Sequence, residues 1–379
     1  MARNIQHELL TTPSPEVRAR QRFVLQFKRE VERLRRRATA LFDDDHTRAT
    51  TGQSATNEAT QAAIDRLYAD DLYRTLSALK LSGQHMMWDS INAALVDETE
   101  RLSGLFRQYA GAKSRLGSLH LDPALDVGDV WRRARIHLQP DGYQADTAAD
   151  DLRAGALYEE GGALYSRGQS VGTRESKAEC AIRFIHEWQP GFRPTKILDM
   201  GCSAGASTIP YALVFPDAVV HGVDLFPALL RYAHAKAESL GAAVHFHQAN
   251  IESTPFPAGS FDLVVSHNAM HEMSRETCAA MFRESYRLLA PGGLCVHQDL
   301  PVRSSDLSPL RRADLLYEQW FNGELFWTDY LDRDCDACLD AAGFPPAGPD
   351  SDLRKSGLFA QLDGTMTWYF AAARKPPVA

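Results

Sequence analysis

One stretch, KILDMGCSAGAST (196–208), has residue types and spacing that could do chemistry. A short apolar run ends in an acid, Asp199, and enters a turn that carries Gly201, Cys202, Ser203 and Gly205 before a helix begins near Ser207. This is the grammar of a ligand site at the carboxyl end of a first parallel strand. The glycines let the backbone bend tightly and let a ligand approach without a Cβ in the way. A pyrophosphate site would want G-x-G-x-x-G, so that amides at a helix N-terminus grip the anion. Here the glycines stand at 201 and 205 and a carboxylate precedes them. That carboxylate repels a phosphate and attracts a cation, so the turn predicts a positively charged ligand with an amino-acid end.

S-adenosylmethionine, with its α-ammonium and sulfonium, has that charge. Two later strand ends suit the rest of it. VVHGVD (219–224) ends in Asp224, 19 residues after Gly205, where a carboxylate would bond both ribose hydroxyls; Leu225 follows it. ANIE (249–252) places Asn250, whose amide both donates and accepts, to read an adenine edge, with Ile251 beside it. On the blocks ILDMGCSAG (197–205), HGVDL (221–225), ANIESTPFPAGSFDLVVS (249–266) and RLLAPGG (287–293), residues from about 157 to 375 resemble class I S-adenosylmethionine-dependent methyltransferases, in particular the small-molecule, ubiquinone/menaquinone-methyltransferase-like group. The resemblance implies an α/β, Rossmann-like, seven-stranded, mostly parallel sheet with an antiparallel last strand. It also implies Asp199, Gly201 and Gly205 around the methionine end, Asp224 on the ribose, Asn250 and Ile251 at the adenine, and His267 along the cofactor pocket. The family commonly has glycine where this chain has Ser203, which reshapes the turn slightly.

Methyl transfer is an in-line displacement in which the cofactor carries its own leaving group, so the protein positions the acceptor and takes its proton. SHNAMHE (266–272) follows the fourth strand and offers His267, His271 and Glu272. A histidine of ordinary pKa ~6.5 suits proton removal near neutral pH. The plainer readings are a loop-to-helix hydrogen bond for His271 and a first-turn helix acid for Glu272. His297 and Asp299 with His267 or His271 would make a two-histidine, one-carboxylate set. That set is loose in sequence, and no metal ligands are assigned. Five aromatics in YEQWFNGELFWTDY (317–330), Trp320, Phe321, Phe326, Trp327 and Tyr330, predict a lid over an apolar or planar acceptor, or else core packing. Tyr158, Tyr165 and Arg167 could close the pocket from the other side.

The elements that must position these residues alternate from about residue 157 onward, as a parallel sheet covered by helices requires. Strands are expected at 196–200, 218–223, 244–248, 261–266, 293–298 and 365–372, the last antiparallel and close to an edge. Helices are expected at 174–187, 208–214, 227–240, 274–289 and 331–342. Residues 1–150 read as a mainly helical appendage that caps the site, mediates a homodimer, or does both, and residues 151–379 as the methyltransferase domain. Within the appendage the signals are a proline-led helix start at Ser14, an apolar stripe at Val24, Phe27, Val31, Leu34, Ala38 and Leu41, a loop over about 43–55, and helices at 57–80 and 84–109.

Composition bounds the rest. The chain has 379 residues, 44% hydrophobic and 24% charged, which excludes disorder or a rod for most of its length. A net charge of −8 disfavours a dedicated nucleic-acid coat. Residues 16–41 nevertheless carry nine Arg or Lys against three Glu, which keeps open an RNA methyltransferase anchored by that helix. A non-catalytic, methyltransferase-like binding subunit is the other alternative. Six scattered cysteines are not a disulfide framework, and Cys335 and Cys338 lack a second pair for zinc. No apolar run approaches the ~20 residues of a membrane span, and the N-terminus has no signal-peptide core, so a cytoplasmic address is expected.

Overall fold

The computed structural model describes residues 6–43, 57–112, 115–167, 175–302, 307–346 and 352–377. The first helix, α1 (Pro15–Asp43), starts where expected: the Val17 amide donates to Ser14 Oγ at 3.2 Å, and proline fills the first helical position. Its buried stripe departs from the expected one. Val24, Val31 and Ala38 are buried, but Leu34 is 38% exposed and Leu41 74%. Arg35 takes an inward place instead, because it meets a buried acid described below. The long helices expected at 57–80 and 84–109 are three: α2 (Asn57–Ala69), α3 (Asp71–Leu95) and α4 (Thr99–Gly111). The break falls at Asp70, whose carboxylate caps α3 by accepting the Tyr73 amide at 2.7 Å. The chain runs helically through Gly83, where a Cβ would stand 3.0 Å from Lys28 Cγ on α1; this glycine marks close helix packing rather than a stop. The expected loop over 43–55 lies almost wholly outside the described residues.

Beyond α4 the chain forms a strand, β1 (Ser118–His120), then α5 (Asp129–Arg133), a 3₁₀ turn at Ile136–Leu138, and α6 (Arg153–Arg167). The alternating half follows as α7 (Lys177–Trp188), β2 (Lys196–Met200), α8 (Ile209–Val214), β3 (Val219–Asp224), α9 (Pro227–Ser239) and β4 (Val244–Gln248). It continues with β5 (Phe261–His267), a 3₁₀ turn at Met270–Glu272, α10 (Arg275–Leu288), β6 (Leu289–Asp299), α11 (Pro309–Phe321), α12 (Trp327–Leu331), α13 (Cys335–Ala342), β7 (Gly357–Ala360) and β8 (Thr367–Arg374). Helix α7 opens on a capping box, Ser176 with Glu179.

The strands form one sheet in the order β1-β4-β3-β2-β5-β6-β8-β7. From β1 to β6 all pairings are parallel; β8 runs antiparallel to both β6 and β7. The seven strands implied by the family resemblance are β2–β8, and β1 adds an eighth at the edge, pairing Ser118 with His245. Alternation along the strands splits the core in two. Ile197, Val220, Phe246 and Leu263 face α7 and α9, whereas Leu198, Met200 and Val264 face α10. The strand order reverses between β2 and β5, which opens a crevice at their carboxyl ends.

The N-terminal helices dock on α11 through a buried ion pair. Arg35 Nη2 lies 2.7 Å from Asp314 Oδ1, and Tyr73 Oη donates to the same carboxylate at 2.9 Å. The guanidinium also sits 4.7 Å from the Tyr317 ring centre.

Candidate active site

Asp199, at the end of the central strand β2, is 1% exposed. Its Oδ2 accepts from Thr208 Oγ1 at 2.6 Å, while Oδ1 is buried with no hydrogen-bond partner. Burial, with Asp224 adding to it, pushes this carboxyl up to about 7. A buried half-satisfied carboxylate is costly until a cation meets it, so the site is built for one. Gly201, Ser203 and Gly205 all have positive φ, at 77°, 46° and 75°. A Cβ on Gly205 would also stand 3.1 Å from Ala233 Cβ on α9, so the turn needs glycine there twice over. Ser203 tolerates its conformation at a cost of ~1–2 kcal/mol. It keeps the bond that matters, since its amide donates to Asp224 Oδ2 at 2.9 Å. Phe226 donates to Oδ1 at 3.1 Å, and burial lifts the Asp224 carboxyl to about 6 against these bonds. Cys202 is packed beneath the turn, 4% exposed. Leu225 is partly buried and its carbonyl accepts from Gln248 Nε2 at 3.1 Å. Asn250 Oδ1 accepts the Glu252 amide at 2.9 Å, and Ile251 packs on the core beside it.

Across the crevice, His267 Nδ1 donates to Gln298 Oε1 at 2.6 Å and Nε2 accepts from Tyr211 Oη at 3.1 Å. Burial pulls it down to about 4, so it is a neutral imidazole with both nitrogens engaged. His297 lies on the opposite face of the sheet, because Ser266 pairs with His297 and His267 with Gln298 in the register. Its ring is held between Ser266 Oγ and Ser285 Oγ, at 2.8 and 3.1 Å. The loose histidine–carboxylate set of the sequence is therefore not gathered. Asp299 instead joins His271: Oδ1 is 2.6 Å from Nδ1, and Oδ2 accepts the His271 amide at 3.1 Å. Burial pulls the His271 imidazole down, but Asp299 and then Glu324 and Glu272 raise it to about 9. Burial lifts Glu272 to about 7; its Oε1 lies 4.0 Å from His271 Nε2.

The five lid aromatics divide. Trp327 and Tyr330 stand edge-on to His271, with ring centres 5.8 and 5.9 Å away. Phe326 packs at 6.1 Å on Trp131, which in turn meets Phe226 after Asp224. Trp320 and Phe321 pack instead on Tyr68 of α2, at 5.8 and 6.3 Å. The structure joins two further residues to the site. Tyr143 Oη reaches Glu272 Oε1 at 3.5 Å, and its ring contacts Tyr158 and Phe226. Burial, with the charges of Glu272 and Asp224 adding to it, raises the Tyr158 hydroxyl, so these two tyrosines stand between the glycine turn and the histidine side. The side chains of Tyr165 and Arg167 lie outside the described residues. Trp131, His137 and Tyr143 were missed because they stand in an aperiodic stretch; an aromatic or histidine in a loop gives no signal by itself.

Comparison with known proteins agrees with this geometry. A family described as a methyltransferase domain matches residues 197–293. The arsenite methyltransferase of Aquipseudomonas alcaligenes is 34% identical over 144 residues, 36% of this chain and 41% of that protein. The demethylmenaquinone methyltransferase of Thermus thermophilus is 35% identical over 108 residues, 28% of this chain and 48% of that one. The chain thus spans less than half the length of these two relatives. A solved structure of Haemonchus contortus phosphoethanolamine N-methyltransferase 2 with S-adenosyl-L-methionine aligns at a TM-score of 0.39 and 18% identity, covering 52% of each chain. Residues 197–293, which hold the turn after β2, the acid ending β3 and the stretch from β2 into β6, thus match a methyltransferase domain, and the relatives that share this stretch are methyltransferases by name.

Proposed function

We propose that the chain transfers the methyl group of S-adenosylmethionine to a small-molecule acceptor lying among Tyr143, Tyr158, His271, Trp327 and Tyr330. The observation that carries this is the buried, unpartnered Oδ1 of Asp199 in a turn whose backbone suits a cation rather than a phosphate. In this reading Asp199 and the backbone of Gly201–Gly205, with Cys202 packed below, take the methionine end; Asp224 and Leu225 take the ribose; Asn250 and Ile251 take the adenine. His267 forms part of the pocket wall. The acceptor atom attacks the sulfonium methyl in line, the carbon–sulfur bond breaks, and S-adenosylhomocysteine leaves as a neutral sulfide. Glu272, lifted to about 7, takes the proton that the acceptor loses, while His271, oriented by Asp299 and raised to about 9, stands beside it as a charged imidazolium. Phe326, Trp327 and Tyr330 cover the acceptor and keep water out, which strengthens the attraction between its lone pair and the sulfonium.

Residues 1–150 serve in this reading as an appendage that completes the acceptor side through Trp131, His137 and Tyr143. Exposed apolar side chains on α1 and α3, Phe23 at 60% and Leu72 at 52%, suit a homodimer interface. A cytoplasmic setting suits the six cysteines, all free thiols. Among the described residues, no helix is long and apolar enough to cross a membrane. Isothermal titration of the full chain with S-adenosylhomocysteine tests the reading. Micromolar binding is expected, and no heat at millimolar ligand would discard it.

A further inference from the structure

His137, Glu272 and Glu324 come from three remote places: the 3₁₀ turn after α5, the 3₁₀ turn after β5, and the bend between α11 and α12. One nitrogen or carboxylate oxygen from each lies within 4.8 Å of the other two. His137 Nδ1 is 2.9 Å from Glu324 Oε1, and Nε2 is 3.9 Å from Glu272 Oε1. Glu324 is only 3% exposed, and its Oε2 is buried without a hydrogen-bond partner. Two carboxylates therefore share one imidazole in a site where an uncompensated charge is expensive. The imidazole is held in place by strained backbone: His137 and Leu138 have φ of 54° and 58°, and the His137 carbonyl accepts from both Gln84 Nε2 and Trp88 Nε1 at 2.7 Å.

The geometry points to a divalent-cation site formed by His137, Glu272 and Glu324. A neutral imidazole and two carboxylates balance one doubly charged ion, and the vacant Glu324 oxygen supplies a ligand that no protein group uses. One nitrogen and two oxygens suit manganese, iron or zinc better than calcium, which takes six to eight oxygens. The side chains of His137 and Glu272 are partly exposed, at 33% and 20%, which leaves coordination positions for water or an acceptor oxygen. With the ion in place Glu272 is a ligand and does not also take a proton. The ion would also clamp the N-terminal region, the turn after β5 and the segment before α12 together. This inference does not rest on methyl transfer, because the ion binds without cofactor or acceptor.

The competing arrangement is a protonated His137 bridging the two carboxylates, and metal titration separates the two. Full-length protein stripped with chelator is titrated with Mn²⁺, followed by loss of the free-ion electron paramagnetic resonance signal, and with Zn²⁺ by calorimetry. One ion per chain at micromolar affinity is expected, together with a Tm rise of about 5 °C in excess metal. Glu324→Gln, which keeps shape and removes charge, should weaken binding by about 30-fold or more. Its affinity for S-adenosylhomocysteine, unchanged within about twofold, would show that the variant is folded. Neither metal bound to wild-type protein at about 1 mM, or a Glu324→Gln protein that binds like wild type, would overturn the site. Metal binding without any nucleoside binding would instead remove only the methyl-transfer reading.

Discussion

The two walls of the crevice are built differently. The wall proposed to hold the cofactor is local: Asp199, Gly201, Ser203, Gly205 and Asp224 lie within 26 residues of chain, and it consists of backbone amides and two acids at adjacent strand ends. The wall proposed to hold the acceptor is assembled from long range. Tyr143 meets Glu272 across 129 residues, and the Arg35–Asp314 pair that docks the N-terminal helices spans 279. A local wall survives repacking of the molecule around it; an assembled wall depends on every contact that holds its parts in place.

The strongest way to break this contrast is Asp314→Ala, which leaves Arg35 buried without its carboxylate. Removing one partner of such a pair costs about 3–5 kcal/mol. Urea unfolding should show that loss, and turnover should fall further than S-adenosylhomocysteine affinity, because the damage lies on the assembled side. Equal loss of both would mean that the two walls are not separable. A smaller effect is expected on the local side. Asp224→Ala should weaken cofactor binding by about 1.5–3 kcal/mol, as loss of charged hydrogen bonds does; calorimetry at constant pH measures it, and unchanged affinity would remove the ribose assignment.

The smallest effect sharpens the electrostatic side of the comparison. Burial disfavours the charged forms of Asp199 and Asp224 and lifts the two carboxyls to about 7 and about 6. A cation favours the ionised Asp199, so its binding expels a proton. Affinity for S-adenosylmethionine should therefore rise with pH up to about 7 and level off above it. Below that, each proton taken up costs up to about tenfold per pH unit. The same shift means that folding of the empty protein loses stability as pH rises from about 4 towards 7, since ionising a buried Asp199 is unfavourable. A binding constant flat between pH 5.5 and 8 would show that Asp199 does not meet the ligand's charge.

Legibility in the sequence follows the same division. Strands β2–β6 and β8 lie close to their expected places because apolar runs of four to six residues bounded by turn residues leave few alternatives. β7 and β1 gave no such signal: they are four and three residues long and take their strand character from pairing with a neighbour. Arg35 defeated the reading of α1, since a charged residue is assigned to the solvent face unless its partner 279 positions away is known. The lid aromatics were recognised as a group, but which of them meet His271 and which meet Tyr68 depends on how α11 and α12 turn against their neighbours.

The contiguous residues by themselves determined the glycine turn after β2, the acids at the ends of β2 and β3 and the alternating order of the sheet. Backbone dihedral preferences, glycine spacing and strand-end acids act over a few residues and can be read in a line. Tertiary structure alone decided which histidine faces the crevice and which is sealed in the core. It also decided that Asp299 belongs to His271, and that His137, Glu272 and Glu324 meet. Those outcomes depend on sheet register and on helix docking over more than a hundred residues, where a one-residue change of register would put a side chain on the opposite face.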